Sequence, residues 1–333
     1  MQTTLKQALY SALVVSFVGT SAAQAQTLGA DFAASYTATN LGSVTDLPPL
    51  YGGLTFLNNN TLLIGGAANT AAGLLYSVGV TRDALNHITG FSGPAKQFGT
   101  SIGEFNDGGV VFGPGGVLFT SRWPNNELGQ TRPGSPDEDK IIDLAALGVA
   151  GSHAAINFVP GSFSGAGNVK LVSWGGGEWY NATLTPDGAG TFDLVGITQI
   201  DLNGADDGFG NLPGGPEGFT YVSEGNPGFA VNSMLVSDFS DGSVSAYEVD
   251  ANGDPILSTR RSFVDGLDGA EGAVLDPLTG DFLFSTFGGG DRILLVSGFT
   301  ELPPPPVPEP ETYAMLLAGL SFLGFAARRR KQA

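Results

Sequence analysis

The sequence predicts an all-β protein, a β-propeller of five blades, because of three observations. Short apolar runs that open with Gly or Ala recur at intervals of 45 to 64 residues, beginning at Gly53, Gly109, Ala154, Gly218 and Gly272. Each run is followed by a turn and by two further apolar segments of strand length. Helix-forming stretches are scarce, and the 51 glycines separate one apolar run from the next. Four-stranded units that repeat roughly every 40 to 50 residues are typical of propeller blades.

Two alternatives stay open at this level. The 64-residue interval between Ala154 and Gly218 has room for part of a sixth blade. A β-sandwich or a β-solenoid is also rich in short strands and turns. We expect the propeller domain, whatever its blade number, to span residues 26–300.

Residues 1–25 are typical of a secretory signal peptide. Lys6 supplies a basic start, residues 8–19 form an apolar segment, and Ala23-Gln24-Ala25 is a small-residue cleavage site. We therefore expect the exported chain to begin at Gln26.

The strand pattern also predicts how the ring closes. The last unit has no fourth strand of its own, whereas the exported N-terminus has an unpaired candidate, Ala34–Thr39. Pairing this strand into the last blade would remove a free sheet edge. In the second unit the apolar pattern places the third strand at residues 140–144, and it favours a strand over a helix at residues 142–147.

The C-terminal residues divide into a linker and a tail. Residues 301–306 are a proline-rich linker, and residues 307–333 contain an apolar run at 313–327 that precedes an arginine-rich end. The 15-residue run would span roughly 22 Å as a helix, which is shorter than a bilayer core of about 30 Å. The pattern predicts a short membrane helix whose basic end stays in the cytoplasm.

This tail resembles the PEP-CTERM sorting signal. The residues that carry the resemblance are Val307, Pro308, Glu309, Pro310, Arg328, Arg329 and Arg330. The resemblance implies that an exosortase, a membrane enzyme of Gram-negative bacteria, cuts near the Pro-Glu-Pro and passes the protein to the cell surface or the extracellular matrix. An ordinary single-pass anchor is the alternative. Neither interpretation concerns the activity of residues 26–300.

Charge and cysteine content exclude several classes of function. Residues 1–25 and 307–333 hold five basic and two acidic residues, so the formal charge is −21 without them and −18 with them. Such an acidic protein repels nucleic acid and anionic membrane surfaces. The chain has no cysteine, which excludes disulfides, thiolate metal sites and a cysteine nucleophile.

A candidate metal site lies near the starts of the predicted innermost strands. Because these strands begin near one mouth of the propeller channel, we expect four of their polar side chains to converge: Asp107, His153, Glu217 and Glu271. Three carboxylates and an imidazole suit a hard cation such as Ca²⁺, the one cofactor we consider. The alternative is that these side chains cap strand starts or face solvent.

One turn in this set resembles a known enzyme family. Pro216-Glu217-Gly218 is similar to a turn of gluconolactonase-like propellers, in which a glutamate binds a catalytic metal. The resemblance implies a lactone-hydrolysing site in which Glu217 binds the metal. The wider hypothesis is a metal-dependent hydrolase at the channel mouth, with Asp107, Glu217 and Glu271 as ligands and His153 as the candidate base. The Asn and Asp partners expected of that family cannot be placed in this sequence.

A candidate glycan site lies in the segment with the most aromatic residues. Trp174, Glu178 and Trp179 flank three glycines, and an aromatic face beside a carboxylate suits a sugar ring. Core packing of the tryptophans is the alternative. We assign no catalytic residue, because the G-x-S-x-G string at 99–103 lacks the preceding buried strand and the following helix that a nucleophile elbow requires.

Together these features predict an exported, non-catalytic propeller that binds or structures envelope polysaccharide or protein. The alternative is an extracellular metal-dependent hydrolase. A third interpretation is a spacer domain whose defined partner is the exosortase.

Overall fold

A computed structural model describes residues 26–203 and 210–300. The predicted signal peptide, the linker at 301–306 and the tail at 307–333, with its helix at 313–327, lie outside the described residues. The described part is all-β, and its helical turns are three short 3-10 segments at residues 114–116, 145–147 and 257–259. No helix within it is long and apolar enough to span a membrane.

Five antiparallel sheets make five blades, as the sequence predicts. The N-terminal segment contributes two strands, β1 (Thr27–Leu28) and β2 (Thr37–Gly42). Blade one consists of β3 (Leu54–Asn58), β4 (Thr61–Gly66), β5 (Leu74–Arg82) and β6 (Ile88–Gln97). Blade two consists of β7 (Asn106–Phe112), β8 (Leu118–Arg122), β9 (Glu127–Thr131) and β10 (Lys140–Asp143). Blade three consists of β11 (His153–Phe158), β12 (Val169–Ser173), β13 (Trp179–Pro186) and β14 (Phe192–Ile200).

The last two blades also use the N-terminal strands. Blade four consists of β15 (Pro216–Val222), β16 (Ser233–Asp238), β17 (Ser243–Glu248) and β18 (Arg261–Asp265), with β1 added at its outer edge. Blade five consists of β19 (Ala270–Leu275), β20 (Phe282–Thr286) and β21 (Ile293–Ser297), with β2 as its fourth strand.

The predicted ring closure is confirmed. Strand β2 pairs antiparallel with β21, so that Thr37 faces Ser297 and Thr39 faces Leu295. The last blade therefore combines the two ends of the domain, and its sheet edge is covered. The sequence pattern placed this strand about three residues too early.

The expected strand order of blade two is wrong. Residues Lys140–Asp143 form the outermost strand β10, and the third strand is β9 at Glu127–Thr131. Strand β9 escaped notice because it is short and contains Glu127, Gly129 and Gln130, so its apolar signal is weak. The strand expected at residues 142–147 is right only for its first two residues. Strand β10 ends at Asp143, and a 3-10 turn follows at Ala145–Leu147.

The core lies between neighbouring blades rather than in a single centre. Along an innermost strand, alternate side chains enter the two flanking layers: Ala155 packs toward blade four, whereas Ile156 packs toward blade two. The layer between blades four and five is rich in aromatic residues, with buried members that include Phe32, Tyr36, Phe229, Phe263, Phe282 and Phe299.

Strand direction defines two faces. We call the end at which the innermost strands begin the upper face, and the end at which they finish the lower face. Strand β21 runs parallel to the innermost strand of its blade, so Ser297 ends at the lower face. There the Thr300 backbone N–H donates to Asn226 Oδ1 at 2.9 Å. The chain therefore leaves the described domain toward its tail at the lower face.

Candidate metal centre

Three of the four predicted ligands converge at the upper end of the channel. Asp107, Glu217 and Glu271 stand near the starts of the innermost strands of blades two, four and five. One carboxylate oxygen from each residue lies within 4.8 Å of the other two. The three residues are only 1%, 4% and 1% exposed. The arrangement is a compact group of oxygen ligands shut off from bulk water.

β-bulges aim these side chains into the channel. In blade four the pairing runs from Pro216 directly to Phe219, so Glu217 lies among the unpaired residues. Glu271 lies in the same way between Ala270 and Ala273 of blade five. In blade two the unpaired stretch follows Asn106 and contains Asp107. A bulge re-aims the side chain it carries, and here three bulges direct carboxylates to one place.

The glycine that follows each acid permits this convergence. A Cβ added at Gly108 would lie 2.7 Å from Gly218 N and 2.8 Å from Glu217 Oε2. One added at Gly218 would lie 2.7 Å from Glu271 O, and one at Gly272 would lie 2.7 Å from Gly53 Cα. Side chains at these positions would force the innermost strands apart. The pairs Asp107-Gly108, Glu217-Gly218 and Glu271-Gly272 are therefore a sequence signal for the site.

Few hydrogen-bond donors reach the three carboxylates. Asn69, with its amide oriented so that the N–H groups face acceptors, donates to Asp107 Oδ1 at 2.9 Å. Within residues 26–203 and 210–300, four oxygens of these carboxylates have no N–H or hydroxyl donor: Asp107 Oδ2, Glu217 Oε2 and both oxygens of Glu271. Buried polar atoms are normally satisfied, so four orphaned oxygens facing one another indicate a missing cation or missing protons.

Burial and mutual repulsion both oppose ionisation of the group. Burial raises the pKa of Asp107 to about 7, although contacts with Glu271, Asn69 and the Gly108 N–H oppose the rise. Burial and then the charge of Asp107 raise the pKa of Glu217 well above its usual range. Burial followed by the charges of Glu217 and Asp107 has the same effect on the pKa of Glu271. A divalent cation would reverse this balance, because it favours the ionised form of all three.

The fourth predicted ligand, His153, does not join the group. Its ring nitrogens lie outside the set of atoms within 4.8 Å of one another. The physical reason is register: His153 is paired with Ser173 in the ladder, and the unpaired residue of that bulge is Ala154. His153 is completely buried, and burial lowers its pKa to about 3, so the imidazole is neutral.

The predicted glycan site consists of Trp174, Glu178 and Trp179, and the structure does not leave the Trp179 ring accessible to a ligand. Trp179 is completely buried, with its ring centroid 4.8 Å from that of Phe219 and its Nε1 donating to Asp254 Oδ1 at 2.7 Å. Its ring is therefore core, as in the alternative interpretation, because it fills the layer between blades three and four. Trp174 and Glu178 are half-buried.

Sequence reasoning missed Asn69. This residue follows β4 in a left-handed conformation with φ of 64°, which asparagine tolerates better than most residues. The sequence signal for Asn69 was an asparagine in a turn rich in glycine and alanine. This signal does not reveal which strand the Asn69 amide contacts.

A comparison with family models matched residues 306–331 to the PEP-CTERM protein-sorting motif. This match decides the nature of the tail. The chain carries a PEP-CTERM sorting motif. The motif implies an exported precursor, anchored in the membrane, that an exosortase processes. It covers the tail alone and leaves the propeller unassigned.

The curated proteins compared with this sequence gave no match. Among solved structures, an auxiliary nutrient binding protein from Bacteroides thetaiotaomicron is 12% identical, with a TM-score of 0.43 over 80% of this chain and 77% of that one. Virginiamycin B lyase from Staphylococcus aureus is 11% identical, with a TM-score of 0.40 over 79% of this chain and 99% of that one. Aldose sugar dehydrogenase from Streptomyces coelicolor is 12% identical, with a TM-score of 0.37 over 77% and 83%. At this level of similarity no ligand or activity is transferred to the present chain.

Proposed function

We propose that this protein is an exported, non-catalytic propeller of the cell surface or extracellular matrix, and that its channel holds one Ca²⁺ ion. The observation that carries the cation site is the set of orphaned oxygens on Asp107, Glu217 and Glu271, which lie within 4.8 Å of one another in a buried position. Ca²⁺ takes six to eight oxygen ligands and favours carboxylates, so the donor set fits this ion. Envelope polysaccharide or protein is the partner class that we propose for the surface.

The ion would have a structural role. Its three ligands come from three different blades, two, four and five, so one ion would link strands that are at least 54 residues apart in sequence. Binding to the folded state alone stabilises a protein by about 2.7 kcal/mol when the ligand is present at 100 times its Kd. For a domain of this size that gain corresponds to roughly 5–10 °C in Tm.

The competing metal-dependent hydrolase is supported less well. It needs a base beside the ion and a route for substrate, yet His153 lies outside the ligand group and is buried as a neutral ring. The carboxylates themselves are at most 4% exposed. These features favour an ion that is enclosed by protein.

Calorimetric titration of Ca²⁺ into EDTA-treated protein, combined with thermal melting, tests the cation site. We expect one bound ion per chain and an upward Tm shift in the wild type and in Glu224→Gln, which removes an exposed carboxylate from the same blade as Glu217. Glu217→Gln and Glu271→Gln should lose most of both signals. Equal signals in all four proteins, or no signal in any of them, would overturn the site.

The proposal of surface delivery has a separate test. Glu309→Ala combined with Pro310→Ala should leave the uncut precursor in the membrane of an exosortase-containing host. Pro304→Ala, in the linker and outside the Pro-Glu-Pro, is the matched control and should be processed normally. Normal release of the double variant would remove the sorting assignment.

A further inference from the structure

The lower half of the channel contains an apolar cavity. Its volume is about 490 Å³, and all five innermost strands contribute to its wall. Its apolar and aromatic lining includes Phe56, Phe112, Phe158, Tyr221, Val274 and Leu275. The carboxylates Asp107, Glu217 and Glu271 are not part of this wall, which reaches up to Gly108, the residue after Asp107. The cavity therefore lies below the cation site.

The wall has no charged side chain among the described residues, although the domain as a whole is strongly acidic. The polar side-chain groups of Asn157 and Tyr221 are already engaged. Asn157 Nδ2 donates to Phe219 O at 2.7 Å, and Asn157 Oδ1 accepts from the Phe158 N–H at 2.8 Å. The Tyr221 hydroxyl donates to Gly253 O at 2.9 Å. A ligand therefore meets a neutral surface whose remaining side-chain hydroxyls are those of Thr55 and Thr220.

Size and access fit a small molecule. Pockets for small ligands have volumes of about 300–1,000 Å³ and are lined mainly by apolar and aromatic side chains. Phe56, Phe112 and Val274 are partly exposed, so the cavity opens toward the lower face. Because the larger part of the lining is apolar, displacement of water from it by apolar atoms is favourable.

We propose that this cavity binds one uncharged, largely apolar molecule, of the size of two or three aromatic rings. Recognition rests on the aromatic wall and on the absence of charge, which excludes ionic ligands because their desolvation would be uncompensated.

The test uses the neutral dye N-phenyl-1-naphthylamine, whose fluorescence rises in apolar surroundings, with the full chain. Val274→Phe adds a ring inside the cavity. Val195→Phe makes the same change on the outer strand β14, where Val195 is 43% exposed. Any dye that binds the apolar tail does so equally in both variants, so the difference between them reports the cavity alone.

We expect one saturable site in the wild type and in Val195→Phe, and affinity at least tenfold weaker in Val274→Phe. If Val274→Phe fails to melt cooperatively, Thr220→Leu replaces it, since Thr220 is partly exposed and lines the same wall. Identical isotherms in all these proteins would overturn the proposal. A second variant replaces residues 301–306 by Gly and Ser. If this variant bound the dye at least tenfold more tightly, the proposal would also be overturned, because the proline-rich linker would then be the natural occupant of the cavity.

Discussion

Arg82 and Asp276, which are 194 residues apart in sequence, form a two-point ion pair between the first and the last blade. Arg82 Nη1 lies 2.5 Å from Asp276 Oδ2, and Nη2 lies 3.0 Å from Oδ1. The Asp276 side chain is fully buried, and that of Arg82 is 9% exposed. Arg82 ends the third strand of blade one, and Asp276 follows the innermost strand of blade five. The pair therefore links the first and the last blade, and we call this contact the closing joint.

Replacing Arg82 should therefore weaken ring closure. Arg82→Met leaves the Asp276 carboxylate buried without its partner, which typically costs about 3–5 kcal/mol. Urea denaturation measures the loss. Arg132→Met is the matched control, because Arg132 is 49% exposed and pairs with Asp139 inside one blade; exposed pairs contribute little. A comparable loss in the two variants would mean that the Arg82 pair has no special part in closure.

His87 and Asp281 also pair across the closing joint, and this pair predicts that the stability of the fold depends on pH. His87 Nδ1 lies 2.6 Å from Asp281 Oδ2, and this hydrogen bond, aided by the charges of Asp281, Asp83 and Asp276, raises the pKa of His87. A raised pKa means that the folded protein holds the proton more tightly. The resulting stability is complete below the unfolded value of about 6.5 and is lost as pH rises through the higher folded value.

His87→Gln should consequently be less stable than the wild type near pH 6, and the gap should narrow as the pH rises toward 9. Burial also raises the pKa of Asp281, although His87 opposes that rise. Protonation of Asp281 affects the acid range, so measurements from pH 6 upward isolate the histidine. Urea midpoints at four pH values suffice; a gap of constant size would show that the imidazole contributes no charge to the joint.

The acidic group makes an unusual prediction in the absence of Ca²⁺. Glu271→Gln removes one of three buried carboxylates that repel one another, and it keeps the side-chain volume. We expect the variant to melt a few degrees higher than the wild type in EDTA at pH 8, because like charges in a buried site destabilise the fold. In saturating Ca²⁺ the order should reverse. A variant that melts below the wild type in both conditions would instead indicate that Glu271 serves packing alone.

The fold was largely predictable from the sequence because the blades repeat. Apolar runs that begin with glycine mark the innermost strands at Gly53, Gly218 and Gly272. The five runs indicate five blades, although the long interval before Gly218 left room for a sixth. Closure by the N-terminal strand followed from the missing fourth strand of the last unit. Strand β9 was not predictable, because it contains the polar residues Glu127 and Gln130 and therefore lacks an apolar pattern. These residues form a strand because they pair with the neighbouring strands β8 and β10.

The candidate site was predictable only in part. The position of the three acids follows from their place at strand starts, but convergence depends on bulges, and a bulge shifts the register by a residue. His153 occupies a paired position one residue before the bulge, and this difference from Glu217 is invisible in the sequence. Trp179 was misplaced for a related reason, because the sequence does not reveal that Asp254, 75 residues away, meets its indole.

Trp179 provides a last prediction, about the buried contact between blades three and four. Its Nε1 donates to Asp254 Oδ1 at 2.7 Å, and Lys170 Nζ lies 2.5 Å from the same oxygen. Trp179→Phe deletes a hydrogen bond to a charged group and leaves a small cavity, which together should cost about 2–4 kcal/mol. Urea unfolding monitored by circular dichroism measures this cost.

Trp174→Phe is the matched control, because the buried Nε1 of Trp174 has no hydrogen-bond partner among the residues that the structure describes. Deleting an unsatisfied donor relieves a desolvation penalty, so this variant should lose little stability or gain some. If the two variants were equally destabilised, ring volume rather than the Asp254 hydrogen bond would account for the contribution of Trp179. A larger loss in Trp179→Phe alone would identify Asp254 as the residue that holds blades three and four together at this point.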